Sequence, residues 1–121
     1  MIEAGRRHMS HQHEESHGRR FNPSGVNGRA FSQGVIQGTG EVVHITGQVA
    51  WDEHGEVVGA GDIEAQMEKS IDNVRLILAA VGGRLDDIVS MTIYFLRRED
   101  LPSIQWVRSR HFSPGSAPAV C

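Results

Sequence analysis

The sequence predicts an α+β protein, a sheet with two helices packed on one face, and three stretches predict it. Ile45-Thr46-Gly47-Gln48-Val49 alternates apolar and polar residues as a half-buried strand does. Ile63, Met67, Ile71, Val74, Leu78 and Val81 recur at three- and four-residue spacing, which lays one apolar stripe along a helix. From Ile88 to Leu96 the two-residue alternation returns, and a second helical stretch follows it.

The elements follow in order. Asn22-Pro23-Ser24-Gly25 is turn chemistry, and Ala30 to Ile36 reads as a first strand. Gly38-Thr39-Gly40 makes a hairpin connection into a second strand, Glu41 to Ala50. There Val43, Ile45 and Val49 point one way and His44, Thr46 and Gln48 the other, while Gly47 on the apolar face leaves room for close backbone approach. Asp52-Glu53-His54-Gly55 is the next turn. Asp62 is the expected N-cap of the first helix, with Glu64 favourable in its first turn and Gly82-Gly83 as its stop. In the third strand Val89, Met91, Ile93 and Phe95 share one face and Ser90, Thr92 and Tyr94 the other. Asp100 then caps a second helix with Pro102 in its first turn, an end near Phe112, and Ile104, Val107 and His111 inward. Ser113 to Pro118 is a loop.

A chain of 121 residues is the size of one domain. Hydrophobic content of 39% and aromatic content of 6% are low for a self-sufficient core, which hints at completion by a partner chain. Residues 1–20 hold four of the seven histidines and few apolar side chains, so they read as a flexible tail before a domain at 21–121. His11, His13 and His17 form an H-x-H-x3-H run without fixed geometry, and no metal site is expected there. The net charge of −3 argues against a nucleic-acid partner. One cysteine rules out an internal disulfide, and no apolar run suits a membrane span or a signal peptide, so a cytoplasmic location is expected.

Spacing alone yields no catalytic set. Nucleophile-elbow, Walker, C-x-x-C and H-E-x-x-H patterns are missing, and Gly34, Gly38 and Gly40 do not lead into a helix. Asp52, Glu53 and Glu56 read as solvated turn carboxylates, and Asp86 and Asp87 as turn formers. Trp51 and Trp106 read as packing residues and Cys121 as an inert thiol. Arg108 and Arg110 are the best candidates to hold an anion, because guanidinium pairs bidentately with carboxylate, although surface solvation is the commoner use.

Phe31-Ser32-Gln33-Gly34-Val35, Ile45-Thr46-Gly47-Gln48, Ser70-Ile71-Asp72-Asn73-Val74, Leu85-Asp86-Asp87-Ile88-Val89 and Ala117-Pro118-Ala119 together resemble the reactive intermediate deaminase family, also called RidA or YjgF and sometimes endoribonuclease L-PSP. The resemblance covers roughly residues 20–121. It implies a chorismate-mutase-like fold, β-β-α-β-α-β, in a homotrimer with small-molecule clefts between subunits and no cofactor. It also implies, for an active member, hydrolysis of imines or enamines to carbonyl compounds and ammonia.

By the same resemblance Phe31, Thr46, Gly47, Gln105, Val120 and Cys121 line the cleft. The family's carboxylate-gripping arginine falls on Val120, which cannot form a charge-assisted clamp. Its pocket tyrosine falls on Phe31, its serine-glycine pair on Thr46-Gly47 and its pocket asparagine on Gln105. The chain stops at Cys121 where a last strand and its glutamate are expected, which leaves a gap or an open edge in the sheet. Altered or absent activity on 2-imino acids follows, or hydrolysis of a neutral imine or amide-like compound. The ribonuclease or translation-inhibitor role suggested by the older label fits the acidic balance least.

Overall fold

The computed structural model describes the backbone of residues 2–7, and residues 18–23 and 30–121 in full. Among the described residues the strands and α-helices are, in order, β1 (Ile2–Arg7), β2 (Arg19–Phe21), β3 (Gly34–Ile36), β4 (Val42–Gln48), α1 (Ile63–Ala79), β5 (Ile88–Ile93), α2 (Leu101–His111) and β6 (Ala119–Val120). One sheet runs β4-β1-β5-β6, and β2 with β3 forms a separate ribbon.

The gap expected in the sheet is filled from the other end of the chain. Strand β1 lies between β4 and β5, antiparallel to both, and β6 pairs parallel to β5 on the outside. The flexible tail expected over residues 1–20 is therefore corrected at both its ends. Ile2–Arg7 finds backbone partners on two sides, and Arg19-Arg20-Phe21 pairs with Gly34–Ile36. Arg20 adds a physical reason for the second pairing. Its Nη2 donates to the carbonyls of Asp86 and Ile88 at 2.8 Å each, and its Nε to Ala117 O at 3.3 Å. The His11-x-His13-x3-His17 run lies outside the described residues.

Both neighbours of β1 carry a bulge. Ile2 faces Gln48 while Ala4 faces Ile45, so the extra β4 residue falls at Thr46-Gly47. Gly5 faces Ser90 while Arg6 faces Ile88, so Val89 is the extra residue on β5. The second bulge corrects the expected inner face of β5: Ile88 and Met91 are the buried pair, because the added residue shifts the alternation.

The predicted hairpin between the first two strands does not form. Strand β3 is shorter than the expected Ala30–Ile36 because Ser32 gives its N–H to Pro118 O at 2.8 Å and its hydroxyl to Ala117 O. The remaining three residues pair with β2, where Phe21 lies over Gly34, and a Cβ at Gly34 would meet that ring at 2.2 Å.

Helix α1 follows its predicted pattern closely. Asp62 caps it by accepting from Ala65 N at 3.1 Å, and Met67, Ile71, Val74 and Leu78 are buried. Val81 departs from the stripe at 48% exposure, since the helix ends at Ala79 and Gly82 turns the chain at φ +78°. Helix α2 starts after a 3-10 turn at Arg98–Asp100, and the Asp100 side chain makes no capping bond, contrary to expectation. Ile104, Val107 and Phe112 join the α1 residues, Ile45, Ile88, Met91 and Ala117 in one core. Trp51 and Trp106, expected in packing roles, are 55% and 58% exposed. No helix among the described residues is long and apolar enough to cross a membrane.

Candidate ligand-binding site

Phe31, Gln105, Val120 and Cys121 come from three parts of the chain and line one cleft of about 230 Å³. Each is delivered by a local cause. The two Ser32 bonds to the Ala117-Pro118 segment hold Phe31 beside the start of β6. Parallel pairing with β5 places Val120 opposite Met91, and Cys121 continues the ladder by giving its N–H to Met91 O and accepting from Ile93 N, both at 2.9 Å. Gln105 lies on α2 one residue after the buried Ile104, on the helix's open side. Ile93, Phe95, Leu101, Ile104 and Arg108 complete the lining.

Thr46 and Gly47 line a different cleft of about 500 Å³, with Trp51, Asp52, Lys69 and Asn73 among its walls. Within one chain, then, the six expected residues divide four and two. The β4 bulge exposes Thr46, and the Gln48 side chain donates back to Thr46 O at 3.1 Å. Asn73 on α1 holds this rim by donating to Val49 O at 2.9 Å and Trp51 O at 3.0 Å. That role was not read from the sequence, where Asn73 marked only a family motif.

The two candidate anion holders separate sharply. Arg110 reaches Glu68 Oε1 at 2.9 Å on the surface between the helices. Arg108 is only 8% exposed, donates from Nε to Ala30 O at 3.0 Å, and sits with Cζ 6.0 Å from the Phe31 ring centre. Its burial pushes the guanidinium pKa down from the usual arginine value. Asp52 behaves as the turn carboxylate expected of it. Its Oδ1 accepts from His54 N at 2.8 Å and Glu56 N at 3.0 Å, and these two bonds, Glu56 first, lower its pKa. Asp87 likewise serves its turn, accepting from Arg84 N at 2.8 Å. Cys121 is a free, exposed thiol, and no cluster of metal-ligating side chains occurs among the described residues.

Residues 26–121 match the family model described as Endoribonuclease L-PSP. A RutC family protein of Saccharolobus solfataricus is 36% identical over 84 residues, which span 69% of this chain and 64% of that protein. The 3-aminoacrylate deaminase RutC of Acinetobacter baylyi is 32% identical over 78 residues, 64% of this chain and 61% of that protein. The match thus spans less than two thirds of either relative's length. Among solved structures, a Rid-family protein of unknown function from Yersinia pestis superposes with a TM-score of 0.68 at 27% identity, covering 84% of this chain and 83% of that one.

Proposed function

The chain belongs to the endoribonuclease L-PSP family, also called RidA or YjgF, and from that premise we propose that it binds a small organic ligand between copies of itself and hydrolyses an imine or enamine bond in it. The observation that carries the reading is the cleft joining Phe31, Gln105, Val120 and Cys121, in a family where one relative is a 3-aminoacrylate deaminase. In this reading water adds its oxygen to the C=N carbon and a proton to the nitrogen. The C–N bond then breaks to leave a carbonyl compound and ammonia, an enamine first taking a proton on carbon.

The cleft's walls suit that chemistry. Phe31, Ile93, Leu101, Ile104 and Val120 shield the reacting bond from bulk water, while the Gln105 amide can hold a single water by donating and accepting. The Thr46 hydroxyl and the Gly47 backbone arrive from a neighbouring copy, which is why they line a separate cleft within one chain. Three copies closing around their sheets would also cover exposed apolar side chains such as Trp51, Leu76 and Tyr94. Val120 at the lip gives this member a specificity unlike that of an arginine-bearing one.

Ammonia release tests the proposal directly. With 3-aminoacrylate, or a 2-imino acid generated in the assay, the protein accelerates ammonia formation over buffer, and Gln105→Ala and Thr46→Ala each lower the rate at least tenfold. No acceleration with either compound overturns the hydrolase reading. Sedimentation at the mass of one chain overturns the intersubunit cleft.

A further inference from the structure

We propose that Arg108 is the anion clamp of the Phe31 cleft, so that the ligand it selects carries a carboxylate. Arginine has five N–H donors in a rigid fork. At Arg108 one of them, on Nε, is engaged by Ala30 O at 3.0 Å. Among the described residues the two terminal nitrogens have no hydrogen-bond acceptor and no ion pair, and neither is sealed into the core. The residue is nevertheless 8% exposed, and it lines the cleft with Phe31, Gln105, Val120 and Cys121. A cation held in this way loses much of its hydration and receives no counter-charge from the described residues. Such a group is expensive to keep unless something else supplies the charge.

The surroundings make an anionic ligand the natural counterpart. Among the described residues of one chain, no aspartate, glutamate, lysine or further arginine lines the cleft beside this guanidinium. The Nε bond to Ala30 O anchors the guanidinium beside the Phe31 ring, and Nη1 and Nη2 remain to pair with two coplanar oxygens. The share of the cleft walled by one chain encloses about 230 Å³, room for an acid of a few carbons. The neighbouring arginine offers no such site, because Arg110 is already paired with Glu68.

The inference rests on the cleft being a ligand site, and not on hydrolysis taking place there. Calorimetric titration with 2-oxobutyrate, its neutral amide and inorganic phosphate separates the two questions. The wild-type protein binds 2-oxobutyrate at least tenfold more tightly than the amide or phosphate. Arg108→Met removes that preference and leaves the amide's affinity within twofold, Arg108→Lys falls between, and Arg110→Met behaves as wild type. Equal affinity for acid and amide in the wild type overturns the clamp without recourse to any variant. Undiminished 2-oxobutyrate binding by a folded Arg108→Met protein also overturns it, as does tighter binding of phosphate than of the acid. Arginine-dependent binding of 2-oxobutyrate without ammonia release from any imino acid upholds the clamp and rejects the hydrolase.

Discussion

Helices α1 and α2 lie against each other and against the same sheet, yet they bury different chemistry. The inner face of α1 is Met67, Ile71, Val74 and Leu78 with one small hydroxyl, Ser70. The inner face of α2 has Ile104 and Val107, and then Arg108. One helix spends its buried face on packing. The other gives up part of that face to a cation that no described side chain neutralises. The difference teaches where to look for function, since a helix built only to pack has no use for an unpaired buried charge.

Substitutions in the two helices sharpen the contrast. The largest loss comes from α1. Ile71, 1% exposed, loses about 2–5 kcal/mol of stability on change to Ala, measured by chemical unfolding. Next is the bridge between the helices, where His111 Nε2 lies 2.7 Å from Glu68 Oε2 and Arg75 Nη2 lies 3.1 Å from His111 Nδ1. With arginine as donor to Nδ1, the ring gives its Nε2 proton to Glu68. Glu68→Gln then costs about 1.5 kcal/mol, and a double-mutant cycle with His111→Ala returns a coupling of similar size.

The two N-termini give a smaller and unequal pair. Asp62→Ala costs about 1 kcal/mol through its lost cap, whereas Asp100→Ala changes stability by less than ~0.5 kcal/mol. Arg108→Met has a small effect for a buried residue, within about 1 kcal/mol of wild type in either direction, because removing an uncompensated charge offsets the lost bond to Ala30 O. A loss as large as that of Ile71→Ala would make Arg108 a packing residue and erase the contrast. The smallest effect belongs to the turn between β4 and α1. Asp52 has a lowered pKa, so its support for the turn is present above the ordinary aspartate value and is lost as pH falls through the lowered one. NMR titration of its carboxyl carbon gives a midpoint below 3.8.

The same contrast explains what could be read in advance. Helix α1 was legible nearly to the residue, because its apolar period, its Asp62 cap and its Gly82 stop are local signals that agree. Of the six residues named from family motifs, Phe31, Gln105, Val120 and Cys121 share a cleft within one chain, whereas Thr46 and Gly47 line another. Arg108 and Arg110 could not be told apart by spacing. Only the depth of α2 against the sheet decides which one is buried. Strand β1 was illegible for a related reason. Ile2-Glu3-Ala4-Gly5 has no strong strand pattern of its own and becomes a strand because β4 and β5 leave a slot between them.

That slot has a consequence for the order of events during synthesis. Strand β1 leaves the ribosome roughly eighty residues before β5, the strand that must flank it. At about 5–20 residues per second, on the order of ten seconds pass in which the Ile2–Arg7 segment has no β5 to pair with. The β1–β5 pairing at the centre of the sheet therefore closes late, and it is among the most distant in the chain, the kind that fold slowly. Until then β1 keeps an edge open to strands from other chains, so crowded expression is the condition under which this protein is most exposed to aggregation.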